Sequence, residues 1–300
     1  MKKLAIAILL ISLTASAQQD PQYTQYMYNM NVVNPAYAGL KESLSVTTLF
    51  RQQWSGLEGA PTTFTLSGHA PVNDKVGLGL SAIKDELGPV KETNVMVDFS
   101  YTLQMSEGLK LALGLKAGAT FHDVGLTSLE IQDPNDPFFA VDINNTYPNV
   151  GAGAFLYSDN YYFGLSVPNM LNSVHLDENG LQYGSEVNHY FVTAGYVFQV
   201  NDNIKLKPST MIKSAFGAPT SIDLNLNALF LEKFEIGTSY RTEDSFSGLL
   251  GFQVAPFLRI GYAYDHVMSE LSAVASASHE VVITFDLISN PKTLRSPRYF

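Results

Sequence analysis

From residue 42 to residue 287 the chain alternates apolar and polar residues with a period of two, and few folds tolerate that pattern over such a length. In SIDLNLNALF, Ile222, Leu224, Leu226 and Ala228 share one face while Asp223, Asn225 and Asn227 share the other. Successive side chains of a strand point to opposite faces, so this spacing reads as β-structure and not as a helix. LKLALGLKAG, VMVDFSYTL and HEVVITFDL repeat the pattern. Fourteen runs are predicted as strands, at about 42–51, 61–69, 75–84, 93–103, 108–119, 149–158, 161–167, 189–200, 204–214, 220–231, 234–241, 247–255, 258–266 and 278–287.

The links between the runs decide how the strands are arranged. After every second run the link is short: PVND, QMSE, DN, NDN, EK and PF. The intervening links are mostly longer, above all at 120–148 and 168–188. A soluble sandwich has no reason to alternate in this way, whereas outer-membrane barrels pair tight periplasmic turns with long outer loops. Most runs are close to the roughly 9 to 11 residues that a tilted strand needs to cross a bilayer. The expected fold is therefore an all-β, transmembrane antiparallel β-barrel of about fourteen strands, integral to the outer membrane, with both termini periplasmic. Its apolar face must point to lipid and its Asp/Asn/Lys face to the lumen, since no unpaired backbone is tolerated at membrane depth.

The flanks fall outside this pattern. MKKLAIAILLISLTASA has two lysines, an apolar run too short to span a bilayer and a small-x-small end, and reads as a signal peptide over 1–17. Residues 18–41 form a separate N-terminal segment, residues 42–287 the barrel, and residues 288–300 a periplasmic tail. That tail holds Arg295, Arg298 and the terminal Phe300, and its two prolines disfavour a further strand. In the N-terminal segment Asp20-Pro21 suits a helix start, and Tyr23, Tyr26, Met27 and Met30 then fall on one helical face. Asn34-Pro35 should stop that helix, because a residue preceding proline is pushed out of the α region. An aromatic, amide-rich stretch preceding the first strand is expected to plug the lower lumen or to dock a periplasmic partner.

Chemistry finds little support. There is no cysteine, and the six histidines have no metal-ligand spacing, so neither a cofactor nor a metal site is expected. No nucleophile motif is present, and the chain reads as a non-enzyme. With 28 acidic against 18 basic residues it lacks the cationic patch that nucleic acid needs. The acidic loop at 120–148 could hold calcium, but its Asp-Pro steps read as turns; the adjacent Phe138 and Phe139 invite a contact. The sole tryptophan, Trp54, falls at the predicted outer end of the first strand, where an aromatic belt would place it, and Arg51 is a lumen or rim cation in need of an acid.

Three blocks carry a resemblance: QYMYNMNVVNPAYAG at 25–39, FRQQWSGLEGAPTTFTLSGHAP at 50–71 and the closing SPRYF at 296–300. Together they resemble the PorP/SprF family of outer-membrane proteins of the type IX secretion system. Asn34, Pro35, Ala36, Tyr37 and Gly39 match its N-P-A-Y-x-G block; Arg51, Gln53, Trp54 and Gly56 match its R-x-Q-W-x-G block. The resemblance implies a non-enzymatic barrel serving protein export and, in gliding bacteria, the export and anchoring of surface adhesins. It also implies partners: the periplasmic motor and ring, a peptidoglycan-binding linker, and secreted cargo with a C-terminal sorting domain. The rival reading of a barrel this size is an outer-membrane diffusion channel or small-molecule transporter.

Overall fold

The computed structural model describes residues 21–41, 43–129, 136, 139–171, 174–178, 181–185, 188–216, 218–273, 275 and 277–287. The signal peptide expected at 1–17, Asp20, Phe138 and the tail expected at 288–300 with Arg295, Arg298 and Phe300 lie outside these residues. The strands are β1 (Leu44–Gln52), β2 (Thr62–Pro71), β3 (Val76–Leu87), β4 (Val90–Ser106), β5 (Leu109–Val124), β6 (Ile143–Tyr157) and β7 (Tyr161–Val167). A hairpin, β8 (Val174–Glu178) and β9 (Leu181–Ser185), follows in the loop after β7. The second half holds β10 (His189–Tyr196), β11 (Phe198–Asn201), β12 (Ile204–Ala215), β13 (Ser221–Phe230), β14 (Phe234–Arg241), β15 (Ser245–Ala255), β16 (Leu258–Val267) and β17 (Ala277–Leu287).

Neighbouring strands of the sheet run antiparallel in chain order, with β7 pairing across the hairpin to β10, and β1 pairs with β17 from Leu44↔Leu287 to Gln52↔His279, which closes the sheet. Strands β10 and β11 are one stave interrupted at Val197, since both pair with β12. The barrel therefore has fourteen staves, and the hairpin β8–β9 pairs only with itself among the described residues. Closure matters physically, because a spanning sheet with a free edge would leave backbone polar groups unpaired in hydrocarbon.

The period-two reading of the faces holds. Leu224 and Leu226 of β13 are 54% and 49% exposed on the outside, whereas Asn225 and Asn227 are 5% and 0% exposed inside. The strand ends moved more than the strands themselves. On the long-loop side β3 and β4 continue to Leu87↔Val90, leaving only Gly88 and Pro89 as their link. Strands β5 and β6 likewise reach Val124↔Ile143, which shortens the expected loop at 120–148 to residues 125–142. Staves β3 to β6 thus form a tall wall on one side of the rim. Cross-strand pairing extended them through residues too polar to read as membrane strand.

Candidate functional site in the barrel lumen

The N-terminal segment does not form the single helix expected from its spacing. It folds as a 3₁₀ turn at Tyr26–Tyr28, one α-turn at Met30–Val33 and a second 3₁₀ turn at Pro35–Tyr37. The breaks fall at Asn29 and Asn34, whose backbones leave the helical region. Both amides bond to the barrel wall instead. A helix this short has little stability of its own in water, and asparagine side chains compete with its backbone, so wall contacts win. Pro35 still ends the α-turn where the sequence placed the stop, and Asn34 Oδ1 accepts from Ala36 N at 3.0 Å to cap the next turn.

The segment lies inside the barrel, gripped by most of its staves. Glu280 on β17 accepts the backbone N–H groups of Thr24 and Gln25 at 2.9 and 2.7 Å. Arg51, 2% exposed on β1, reaches Asp265 at 2.6 Å, Glu280 at 3.2 Å and the Thr24 hydroxyl at 3.1 Å. Arg241 on β14 holds Asp223 and donates to the Tyr23 carbonyl at 3.0 Å and to Gln22 at 3.1 Å. Asn225 donates to the Tyr26 hydroxyl at 3.0 Å, and Tyr28 meets Glu235, which also pairs with Arg259. Lys116 and Asp98 pair at 2.8 Å and bond the backbone carbonyl and side-chain amide of Asn31. Asn29 bonds Thr65 and Ser67 of β2, and Asn34 donates to the carbonyls of Ala154 and Leu165.

Apolar packing completes the grip. Tyr23, Tyr26, Met27, Met30 and Tyr37 join Leu49, Phe155, Tyr162 and Val282 in one buried cluster. Tyr37 stands edge-on to both His69 and Phe155, at 5.5 and 5.4 Å. Wall glycines make the close fit possible: a Cβ at Gly114 would strike the backbone of Pro35 and Ala36, and one at Gly153 would strike the Asn34 amide. At the exit, Gly39 at φ 76° takes a left-handed bend that a residue with a Cβ adopts at a cost. There Lys41 pairs with Asp286 at 3.2 Å before β1 begins.

One expectation needs correction: the segment is not confined to the short-turn half of the lumen. Arg51, Arg241, Asp265 and Glu280 all lie toward the long-loop ends of their strands, so residues 22–25 sit there. The chain then descends to Gly39, beside Pro71 and Gly77 at the short-turn end. The polar partners decide this, because the buried charges that satisfy residues 22–25 are on that half of the wall.

The sequence-derived candidates divide accordingly. Tyr23, Tyr26, Met27, Met30, Asn34, Pro35, Tyr37 and Arg51 converge in the lumen. Trp54 does not join them: it sits in loop 53–61 at φ 51°, with its N–H donated to Ser278 Oγ at 3.0 Å. Phe139 lies in loop 125–142. Sequence reasoning missed Asp98, Lys116, Asp223, Arg241, Asp265 and Glu280. Their inward parity was readable, but not that the N-terminal segment would be their partner. No group of His, Asp or Glu among the described residues could hold a metal ion. Beside residues 21–23 and 32–33 a cavity of about 60 Å³ lies toward the long-loop end, lined by Val33, Met96, Phe191, Met211 and Lys213 among others.

Solved structures with this architecture include the toluene transporter TbuX of Ralstonia pickettii, 10% identical with a TM-score of 0.51 over 85% of this chain and 92% of that one. The CymD monoaromatic hydrocarbon channel is 13% identical, with a TM-score of 0.53 over 88% of this chain and 93% of its own. At such identities the likeness is one of barrel fold. Comparison with curated proteins returns no match. The family of type IX secretion system membrane proteins PorP/SprF matches residues 15–285, which takes in the luminal segment, Arg51 and all fourteen staves. A closed outer-membrane barrel with this family's signature running through its lumen and wall is a member of it: the chain belongs to the PorP/SprF family of type IX secretion system membrane proteins.

Proposed function

We propose that this protein is a non-catalytic adaptor of the type IX secretion system. Its short-turn end faces the periplasm and engages the motor, ring and peptidoglycan-binding linker. Its long-loop end meets cargo with a C-terminal sorting domain, gliding adhesins included. The observation that carries this reading is the occupied lumen: residues 22–40 run through it, mostly buried, and are bonded to opposite walls. A clean deletion in the source bacterium should leave cargo unsecreted or unattached at the cell surface, with display restored by the gene in trans. Unchanged display in the deletion strain would sink the proposal.

The rival is a small-molecule channel, favoured by the names of the two similar barrels, a toluene transporter and a monoaromatic hydrocarbon channel. It predicts steady conductance or solute uptake by reconstituted barrels with the N-terminal segment in place.

A further inference from the structure

The luminal segment is held in two different ways along its length. From Val33 to Gly39 it lies against staves β2 to β7, and its bonds there are to uncharged groups. Asn34 donates to the Ala154 and Leu165 carbonyls, Ser166 Oγ donates to the Val33 carbonyl at 2.8 Å, and Ser100 Oγ to the Ala38 carbonyl at 2.6 Å. Gly77, Gly114 and Gly153 let this half rest directly on the wall, where any Cβ would strike it. From Gln22 to Tyr28 the segment lies instead against β1, β12 to β14, β16 and β17, and the partners there are mostly charged. Arg51, Asp265 and Glu280 hold Thr24 and Gln25, Arg241 holds Gln22 and Tyr23, and Glu235 meets Tyr28, with Arg259 4.6 Å from the Tyr28 ring. Asn29 marks the change: its backbone leaves the helical region and its amide bonds Thr65 and Ser67.

The two halves also differ in what their departure leaves behind. The wall charges around Gln22–Tyr28 already pair with one another: Arg51 with Asp265 and Glu280, Arg241 with Asp223, and Arg259 with Glu235. If this half lifts away, no buried charge loses its counter-ion, and water from the long-loop mouth can replace the lost hydrogen bonds. Departure of residues 33–39 would instead open a void walled by glycine backbone and strip Tyr37 from His69 and Phe155. Room to move exists only beside the first half among these contacts. The cavity of about 60 Å³ is bounded by Pro21, Gln22 and Tyr23 on one side and by Ile83, Met96, Phe191 and Met211 on others, apolar walls that can receive the displaced Tyr23 ring.

We propose that the segment is a hinged plug: residues 33–39 are a fixed root, residues 22–28 a releasable tip, and the tip swings about Asn29 toward the long-loop mouth. Withdrawal toward the short-turn end is barred, since the tip would have to pass the place where Pro35 and Ala36 already touch the wall. Local opening of this kind needs less free energy than unfolding the barrel. The deletion phenotype predicted above does not depend on it.

The chain has no cysteine, so single cysteines report without background. Arg241→Gln removes the charged donor to the Tyr23 carbonyl and to Gln22. Losing charge-assisted bonds of this kind should raise tip opening about tenfold or more. In full-length barrels in lipid nanodiscs, amide exchange at Thr24 and Gln25 should quicken by that factor, while exchange at Ala38 and Gly39 stays at the wild-type rate. In intact cells, Thr24→Cys should react with a bulky, membrane-impermeant polyethylene-glycol maleimide faster when Arg241→Gln is added. It should follow the pattern of Glu58→Cys in loop 53–61 and not that of Asp74→Cys in the short turn after β2, which reacts only after the outer membrane is permeabilised. Glu280→Gln, which weakens the acceptor of the Thr24 and Gln25 N–H groups, takes the place of Arg241→Gln if that variant lacks the heat-shifted gel mobility of a folded barrel. Equal quickening at Ala38 and Gly39 would mean that the segment leaves in one piece. Reaction of Thr24→Cys with the Asp74→Cys pattern would mean that it opens to the other side, and unchanged exchange at Thr24 and Gln25 that the tip is not releasable. Each of these results would overturn the proposal.

Discussion

Replacing Arg51 with alanine should loosen the luminal segment from its loop-end half. The guanidinium sits between Asp265 at 2.6 Å and Glu280 at 3.2 Å, with all three side chains at most 2% exposed. Removing it leaves two buried carboxylates without the cation that bridges them. Breaking a buried ion pair from one side costs about 3–5 kcal/mol. Water can repay that cost only by entering where Thr24 and Gln25 now sit, so the penalty falls on the docked state. Since about 1.4 kcal/mol is a factor of ten, the undocked population should rise by at most about 10²- to 4 × 10³-fold. Limited chymotrypsin digestion of purified barrels reads this directly, because Tyr23, Tyr26 and Tyr28 become cleavable only when the segment leaves the lumen. Adding Glu280→Gln to Arg51→Ala removes one of the two orphaned charges and should recover part of the protection. Cleavage of Arg51→Ala at the wild-type rate would refute the idea that this cluster latches the segment.

Other consequences test separate parts of the account. Gly114→Val places a side chain where the backbone of Pro35 and Ala36 now lies, and overpacking of this kind costs about 1–3 kcal/mol. It should raise protease access to residues 22–40, whereas Gly248→Ala, with nothing within 4 Å of its added carbon, should not. Leu226→Arg, on the lipid side of β13, should lower barrel stability in vesicles by about 2–4 kcal/mol as read by urea unfolding. In loop 125–142, the Thr127 N–H and then its hydroxyl bond the Asp142 carboxylate and hold its pKa below the ordinary 3.8. The ordering this gives is complete above that ordinary value and is lost as pH falls through the lowered one. Amide exchange at Thr127 should speed up there, and Asp142→Asn should remove that pH dependence.

Much of the fold could be read from the chain because a membrane barrel writes itself locally. Parity along β13 separates Leu224 and Leu226 from Asn225 and Asn227 without knowledge of any neighbour, and the link lengths then give the stave order. Strand ends were less legible. Residues such as Glu86, Lys91 and Asp123 are too polar to signal a strand, and β3 to β5 extend through them by pairing alone. The luminal site was legible as a set of unusual residues but not as an arrangement. Tyr23 to Met30 carried a helical spacing, yet their conformation is set by Asp98, Asn225, Glu235, Arg241 and Glu280. Those partners lie tens to hundreds of residues away, and nothing local in the segment encodes where they stand. Arg51 was read as a cation in need of an acid; the identity of the acids, on β16 and β17, depends on barrel closure between β1 and β17.

The central claim is that this barrel's lumen is filled by its own N-terminal segment and serves protein export, not passage of solutes. Planar-bilayer recording of the full-length chain, beside a variant lacking residues 22–38, tests it most directly. The account predicts no steady conductance from the full-length protein and a stable open level from the deletion variant. Steady, ion-selective conductance from the intact chain, unchanged by removal of the segment, would contradict it.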